Sequence, residues 1–518
     1  MIPTAKSTRN TLTSVAKAIA TGQRTAVEVL EAFLTQAKAA QPKTNAVAVW
    51  REELARQEAE AADQALRAGK ALGRLHGVPV SIKECFDLTG TPSTMGLPSR
   101  ARQNATEDGE IVRRLRQAGA VIFAKTNVPQ LMISHETSNP LYGRSNNPWD
   151  ATRTPGGSSG GEAALIASGG SPGGLGSDLG GSIRVPCHFC GITGLKPTSG
   201  RLPRHGGIGS MRGLDAVVFQ PGPMAPTVED CGRILEVICD STNSPPSLQS
   251  PPALLGDWKK IELKGMRIGY FVDDGFFTPS LAVQRAVREA IAHLRDQGAE
   301  IVEFAPKESE RAFELFTAAL SADGAADHFQ FVKGNPREGA VNKLIRLMAL
   351  PMWVRRIMSL CVGAMGDHSL SKILVSGGAM SVANYWKLTR EVQMLARECM
   401  SRFRQQNLSA LVFPVYALPA IQHGDALNAL PAASYSIFTN VLGTPCGAVP
   451  VTRVREGEEG TRPKSRDSAL KAAVRAELGS AGLPIGVQVM ADYWREDIAL
   501  SVMQGIEMGA GFFDAPPH

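Results

Sequence analysis

Helical and strand-like patterns of apolar residues alternate along the whole chain. At the amino-terminal end, apolar residues recur every three to four positions through 11–20, 26–40 and 52–69, which predicts three amphipathic helices. Short apolar runs of strand length follow at 75–82 and 121–125, with a helical segment between them. This alternation is typical of a mixed α/β sheet covered by helices.

The alternation continues to the carboxyl end. Further strands are predicted at 266–272, 300–304, 408–415, 446–451 and 486–490, and further helices at 228–239, 279–296 and 499–509. The Gly- and Pro-rich segment 201–226 is predicted to be an irregular connection. No low-complexity tract or internal repeat divides the 518 residues. We therefore predict a helical arm, 1–70, packed over one large α/β domain, 71–518.

One segment, 341–375, combines a strongly apolar character with positive charge. No acidic residue falls between Glu338 and Asp367, and Pro351 divides the segment into two short helical pieces. Its basic residues are Lys343, Arg346, Arg355 and Arg356. Apolar faces with Trp353 and neighbouring cations are typical of a helix at a membrane interface. An ordinary buried helix pair over the core has the same pattern, so both interpretations stay open.

Composition and charge exclude several classes of protein. The net charge of +6 is modest for this length, and no basic cluster is interleaved with aromatic residues, so no nucleic-acid partner is expected. No apolar run reaches the roughly 18–20 residues of a membrane-spanning helix. Residues 1–10 are polar and lack the apolar core of a signal peptide. With eight scattered cysteines, these features predict a cytoplasmic protein with reduced thiols.

Two cysteines, Cys187 and Cys190, form a Cys-x-x-Cys pair with His188 between them. A structural zinc site needs a second pair at suitable spacing, and a redox site needs a thioredoxin-like context; neither is present in the sequence. We therefore expect small buried thiols, no metal site and no cofactor.

Two Gly- and Ser-rich runs are the strongest candidates for chemistry. Residues 156–161 read Gly-Gly-Ser-Ser-Gly-Gly, and residues 176–186 read Gly-Ser-Asp-Leu-Gly-Gly-Ser-Ile-Arg-Val-Pro. Such runs are often flexible linkers, but the apolar helical pattern of 162–168 follows the first one directly. Glycine allows a substrate to approach the main chain closely. A serine hydroxyl beside exposed N–H groups is what acyl transfer requires.

Other motifs are less well matched. The runs contain no Walker A sequence, and 148–155 does not provide the strand that a dinucleotide fingerprint needs. The letters of 156–160 fit the Gly-x-Ser-x-Gly nucleophile elbow, with His135 or His188 as the base, but that elbow must also follow a strand. A Ser–His triad stays an alternative on these grounds.

Three separated blocks resemble the amidase signature family of serine hydrolases. They are 156–161, 176–197 and the strand 77–84, which reads Gly-Val-Pro-Val-Ser-Ile-Lys-Glu. The resemblance implies the amidase signature fold, a large mixed β-sheet core surrounded by helices. It also implies a triad of Lys83 as base, Ser158 as bridging serine in a cis peptide, and Ser182 as nucleophile. Lysine is rarely buried, and burial lowers its pKa, so Lys83 would act as a neutral amine.

The resemblance implies further roles around the triad. The oxyanion hole would consist of the backbone N–H groups of Leu179, Gly180, Gly181 and Ser182. Ser159 would contact the triad without reacting itself. Asp178 and Arg184 would form a structural pair that positions the loop carrying Ser182. The residues expected to line the acyl pocket are Met132, Ile133 and His135.

Within the family, the chain is most similar to the fatty acid amide hydrolase branch, through 350–353 (Leu-Pro-Met-Trp) and 385–388 (Tyr-Trp-Lys-Leu). This implies hydrolysis of fatty or other apolar acyl amides to a carboxylic acid and an amine through an acyl-enzyme. It also implies peripheral membrane contact through an apolar helical cap, 341–375. A homodimer would cover the same kind of surface. The alternatives are a glutamine-dependent amidotransferase subunit, an amidase for short, aryl or carbamate substrates, and a non-catalytic peripheral membrane or scaffold protein.

Overall fold

The computed structural model describes residues 10–70, 73–241, 250–251, 253–460 and 462–517. The predicted polar amino terminus, apart from Asn10, lies outside the described residues. So do residues 71–72, where the catalytic domain is predicted to begin.

Over the described residues the chain forms seventeen α-helices and thirteen strands. The helices are α1 Leu12–Ala20, α2 Ala26–Thr44, α3 Glu52–Arg67, α4 Glu110–Gln117, α5 Gly160–Ala167, α6 Arg184–Cys190, α7 Val228–Cys239, α8 Leu281–Asp296, α9 Ser309–Leu320, α10 Ala326–Val332, α11 Gly339–Ala349, α12 Met352–Ala364, α13 His368–Ser376, α14 Val382–Gln405, α15 Ser434–Leu442, α16 Ser468–Glu477 and α17 Glu496–Ala510. The strands are β1 Val47–Trp50, β2 Pro79–Lys83, β3 Val121–Thr126, β4 Ser138–Asn139, β5 Gly143–Arg144, β6 Gly174–Asp178, β7 Thr193–Lys196, β8 Gln220–Ala225, β9 Arg267–Tyr270, β10 Glu300–Glu303, β11 Ala410–Pro414, β12 Cys446–Arg453 and β13 Pro484–Ala491.

Eleven of the strands in the described chain form one sheet, in the order β1-β3-β2-β6-β8-β7-β12-β13-β11-β9-β10. Strand β2 pairs in parallel with β3 and β6, whereas β6 pairs with β8 in the antiparallel sense. The strands β2, β3, β6 and β8 are buried along their whole length, as expected where helices cover a sheet. The predicted α/β fold with a large mixed sheet is confirmed.

The prediction that 201–226 is an irregular connection is wrong for its last part. Residues 220–225 form β8, in the middle of the sheet, although they include Pro221 and Pro223. A proline lacks the N–H of a ladder hydrogen bond and is normally excluded from central strands. Pro221 and Pro223 occupy alternate positions, so the two missing N–H groups are on the same side of β8. Strand β7 pairs with β8 over two residues only. Burial of β8 in the sheet therefore outweighs the low preference of proline for central strands.

The amino-terminal segment contributes to the main sheet. Strand β1 pairs antiparallel with β3 at the sheet edge, through Val47 and Thr126, Val49 and Lys125, and Trp50 and Ala124. Helices α2 and α3 pack against each other beside it. The division of the chain at residue 70 stays a prediction.

The apolar segment 341–375 forms parts of three helices rather than two. The first break falls at Pro351 as predicted, because this proline occupies the N-cap of α12, and a second break at Gly366 and Asp367 separates α12 from α13. Helices α11 and α12 meet at 115°. No single helix in the described chain is long and apolar enough to cross a bilayer, but this bent pair together meets the criteria of length and composition.

A buried arginine holds these three helices together. The Arg355 guanidinium on α12 donates to the carbonyl of Leu374 at 2.7 Å and of Ile373 at 3.1 Å in the last turn of α13. It also donates to the carbonyl of Leu347 at 3.3 Å, near the end of α11. A cation is favourable at a helix carboxyl end, where carbonyl groups lack intrahelical donors. The charge of Arg355 therefore fixes the geometry of the cap.

Candidate active site

The site forms where two neighbouring parallel strands end. Strand β2 ends at Lys83 and its neighbour β6 ends at Asp178, so both carboxyl ends meet at one edge of the sheet. The loop after β6 carries Ser182 and leads into α6, and the loop before α5 carries Ser158. The fold thus brings together three residues that are up to about a hundred positions apart in the sequence.

Lys83 contacts two serines in a fully buried environment. Its Nζ lies 2.6 Å from Ser158 Oγ and 3.0 Å from Ser177 Oγ. The peptide bond between Gly157 and Ser158 is cis. Burial lowers the pKa of the Lys83 amine to about 8, although nearby acidic groups oppose this change. Above about pH 8 the amine is therefore mostly neutral and can accept a proton.

Ser182 lies beside this pair and faces a cavity. The N–H of Ser159 donates to the Ser182 carbonyl at 3.1 Å, which connects the two serine-bearing loops. Within the described residues, the Ser182 hydroxyl has no hydrogen-bond partner, and no hydrogen bond joins it to Ser158. Hydrogen bonds of catalytic groups are often long without substrate and shorten when substrate binds.

Asp178 and Arg184 form a buried ion pair beneath the Ser182 loop. The Arg184 Nε and the Asp178 Oδ2 are 3.0 Å apart, and both side chains are fully buried. Asp178 also accepts from the N–H of Gly181 at 2.8 Å and of Ile183 at 3.1 Å. Burial by itself would raise the pKa of the Asp178 carboxyl, but the Arg184 guanidinium holds it well below its usual range. The ion pair thus fixes the backbone of the loop immediately before and after Ser182.

The same arrangement divides the expected oxyanion donors into two groups. The N–H of Gly181 is engaged by Asp178. The N–H groups of Leu179, Gly180 and Ser182 contact no acceptor in the described part of the chain. Such unengaged donors beside a nucleophile can stabilise a developing oxyanion.

The cavity in front of Ser182 has an apolar wall. It contains about 760 Å³ of space including its open mouth, and its wall includes Met132, Ile133 and His135, whose role in binding an acyl group stays a prediction. The other lining residues come from loops and from helices α9 and α11: Ser134, Leu179, Gly180, Met211, Phe316, Leu320, Ala340, Val341, Leu344, Met348, Ala426, Leu427 and Leu430. No Asp, Glu, Lys or Arg side chain is among the described residues that line it.

Neither candidate histidine contacts a serine hydroxyl. His135 Nε2 lies 3.1 Å from the Gly180 carbonyl oxygen. In the described part of the chain, the hydrogen bonds of His188 are all with backbone groups, those of Gly486 and Leu418. Desolvation lowers the pKa of each imidazole to about 4. Among the residues that the structure describes, no Ser–His pair is therefore present at this site.

Cys187 and Cys190 lie buried on α6 with free thiols, as all eight cysteines are free. Within the described residues, no three His, Cys, Asp or Glu side chains are grouped as metal ligands.

Sequence reasoning missed some residues of the site. Ser177 accepts a hydrogen bond from Lys83, and its only signal was its place in the second Gly/Ser run. Behind it, the buried Glu162 accepts from Ser81 at 2.6 Å and from Thr126 at 2.7 Å, and burial raises its pKa to about 7. Phe316 lines the cavity from α9, which has an ordinary amphipathic pattern, so no signal marked it.

Comparison with known proteins agrees with this geometry. The Amidase family model matches residues 28–500. Fatty acid amide hydrolase 1 of Caenorhabditis elegans is 34% identical over 493 residues, which are 94% of this chain and 86% of that protein. A glutamyl-tRNA(Gln) amidotransferase subunit of Chloroflexus aggregans is 34% identical over 457 residues, 85% of this chain and 89% of that protein.

A solved structure of fatty acid amide hydrolase superimposes with a TM-score of 0.81 at 25% identity, covering 98% of this chain and 87% of that one. The similarity therefore extends over nearly the whole fold, including the sheet edge that carries the two serine loops. The chain belongs to the amidase signature family and is an amide hydrolase.

Proposed function

We propose that this enzyme hydrolyses amides of long apolar carboxylic acids, using Ser182 as nucleophile, Ser158 as proton bridge and Lys83 as base. The observation that carries the proposal is the cavity wall: Ser182 opens into a space whose other lining residues are nearly all apolar. An acyl chain would lose its contact with water along this wall, which contributes about 25 cal/mol per Å² of apolar surface buried.

The proposed reaction has two stages. Neutral Lys83 accepts the proton of Ser158, Ser158 accepts the proton of Ser182, and Ser182 Oγ forms a bond to the amide carbon. The unengaged N–H groups stabilise the resulting oxyanion. The C–N bond then breaks as the proton returns through Ser158 to the leaving nitrogen. Water attacks the acyl-enzyme by the same relay and releases the acid.

The apolar lining of the cavity does not favour free glutamine as the substrate. Free glutamine carries an ammonium and a carboxylate, and burying these charges without partners is very costly. The described lining residues include no charged side chain that could pair with either group. Similarity to an amidotransferase thus supports the chemistry of amide cleavage and not this substrate.

The substrate class is tested with primary amides of increasing acyl length on the wild type and on Leu344→Trp. Leu344 lies in the α11 wall of the cavity, so the larger ring should reduce kcat/KM for long chains about tenfold or more and spare short ones. Leu54→Trp, the same substitution at a 47% exposed position on α3 away from the cavity, is the matched control. Turnover of short or aryl amides alone by the wild type would reject the long-chain proposal.

The proposed base makes a prediction for pH dependence. The Lys83 amine must be neutral to accept a proton, and its pKa is lowered to about 8 by burial. We expect kcat/KM to fall about tenfold per pH unit below about pH 8 and to level off above it. The profile is measured with a substrate that does not ionise. A plateau extending down to pH 6 would exclude Lys83 as the base.

We further propose that α12 attaches the enzyme to the cytoplasmic face of a membrane. Trp353, Ile357 and Leu360 recur at helical spacing on one face of α12 and are 67%, 53% and 76% exposed. The exposed cations Arg346 and Arg356 lie on the same pair of helices. An exposed apolar stripe with neighbouring cations favours an interface with anionic lipid. Helix α11, which precedes α12 across the break at Pro351, lines the cavity.

The attachment is tested by co-sedimentation with vesicles of phosphatidylcholine and phosphatidylserine. Trp353→Ser should reduce the bound fraction several-fold, because its exposed ring is the largest apolar group of the stripe. Met508→Ser, at a 70% exposed position on α17, is the control and should bind like the wild type. Equal binding by both variants would contradict the proposal. Loss of a homodimer in Trp353→Ser without vesicles would assign the stripe to a second copy of the chain instead.

A further inference from the structure

We propose that His135 is a positioning residue for the oxyanion loop, residues 179–182, and that its role is to fix the carbonyl group of Gly180. This inference rests on the proposed function, because it assumes that the loop before Ser182 stabilises an oxyanion. His135 Nε2 lies 3.1 Å from the Gly180 oxygen. The imidazole therefore touches the loop itself, in addition to forming part of the cavity wall.

The contact fixes one peptide unit from both ends. The carbonyl of Gly180 and the N–H of Gly181 belong to the same planar group. His135 holds the carbonyl, while Asp178 accepts from the N–H at 2.8 Å. The Ser436 hydroxyl lies 3.3 Å from the same carbonyl, but its single proton has a closer acceptor in Ala433 at 3.0 Å. His135 is thus the principal donor to Gly180.

Fixing this unit determines where the neighbouring donors point. The N–H groups of Gly180 and Ser182 belong to the flanking peptide units, and neither contacts an acceptor in the described chain. Two consecutive glycines would otherwise rotate freely about their backbone bonds. Close packing requires glycine at both positions. A Cβ at Gly180 would lie 2.6 Å from the Phe316 ring, and one at Gly181 would lie 2.4 Å from Ser436 Oγ.

The imidazole is suited to donate from Nε2. Desolvation lowers the pKa of His135 to about 4, and the charged groups that act on it, Asp178 and Arg184, oppose each other. The ring is therefore neutral near pH 8 and carries one N–H. Because a carbonyl oxygen only accepts, that hydrogen must be on Nε2. The Tyr416 ring packs edge-on at 6.0 Å and helps to orient the imidazole.

A pair of variants separates this role from that of a simple wall residue. His135→Gln keeps an N–H donor at a similar reach, whereas His135→Met keeps the bulk and removes the donor. We expect kcat of His135→Met to fall about 10- to 100-fold with KM little changed, because oxyanion stabilisation acts on the transition state. His135→Gln should retain most of the activity.

A second readout uses two inhibitors with the same acyl chain. An aliphatic trifluoromethyl ketone forms a tetrahedral oxyanion with a serine, and the corresponding alcohol does not. In His135→Met the ketone should lose affinity in parallel with kcat/KM, while the alcohol should bind as to the wild type. If His135→Met does not fold, the shorter His135→Asn replaces it with the same expectation.

The outcomes are distinct. Equal losses in the Gln and Met variants, or a rise in KM with kcat unchanged, would overturn the proposal and leave His135 as a wall residue. Equal loss of affinity for both inhibitors would do the same. Failure of the proposed function itself would be seen in the wild type, as absence of fluorophosphonate labelling at Ser182.

Discussion

Replacing Ser182 by alanine should reduce kcat for amide hydrolysis by about 10³-fold or more, with the fold unchanged. The Ser182 hydroxyl is the one oxygen of the proposed triad that lines the cavity, and it has no hydrogen-bond partner among the described residues. Without it no acyl-enzyme can form. The effect is measured with a chromogenic amide in single-turnover conditions, and by mass spectrometry of the enzyme after fluorophosphonate treatment.

Lys83 should be nearly as important for kcat as Ser182. Lys83→Met keeps the length of the side chain and removes the amine that contacts Ser158 at 2.6 Å, so we expect a loss of similar size. Ser501→Ala is the control: Ser501 is a buried serine on α17 that donates to Ile261 and lies outside the cavity. Its kcat should match the wild type. A Ser182→Ala enzyme that still cleaves amides would remove the proposed nucleophile.

Asp178→Asn should destabilise the protein by about 3–5 kcal/mol, because it leaves the buried charge of Arg184 without a counter-ion. It should also lower kcat, since the new amide group cannot accept from Gly181, Ile183 and the guanidinium together. Stability is measured by urea unfolding, and activity at a temperature where the variant is folded.

The acid sensitivity of the fold provides a second readout for this variant. The pKa of Asp178 is depressed in the folded state, so its contribution to stability is present above the ordinary carboxyl pKa of about 4 and is lost as the pH falls. Asp178→Asn should lack this part of the pH dependence.

The control for Asp178→Asn is an equally buried ion pair away from the cavity. Glu496 Oε1 lies 2.7 Å from Arg201 Nε, and both side chains are at most 2% exposed. Glu496→Gln should lose a similar amount of stability and keep the kcat of the wild type. If Glu496→Gln lowered kcat as much as Asp178→Asn, the Asp178 effect would reflect general destabilisation and not the loop beside Ser182.

Local chemistry explains what could be predicted from the sequence. The helix α3 has a clear apolar periodicity, from which the burial of one face follows, and β3 is a short apolar run that is buried throughout. The Lys83, Ser158 and Ser182 blocks are short contiguous motifs, in which glycine permits the backbone conformation and serine or lysine carries the proposed chemistry. The residues of these blocks and their order along the chain can therefore be predicted from the sequence alone.

Strand β6 is a segment that the local sequence pattern does not predict. Its sequence, Gly-Leu-Gly-Ser-Asp, has almost no strand propensity, and β8 beside it contains two prolines. Both are strands because the neighbouring strands and covering helices bury them. Pairing partners distant in the chain decide such segments, and no window of sequence contains that information.

The sequence by itself determined the fold class and the family and predicted the reactive groups, since these depend on periodicity and on short motifs. Only the tertiary structure decided that Ser177 contacts Lys83, that Phe316 and α11 line the cavity, and that Arg355 joins three helices. It also decided that His135 faces the Gly180 carbonyl and not a serine. These contacts join residues far apart in the chain, and their energies depend on distance, burial and hydrogen-bond direction, which are properties of the folded molecule alone.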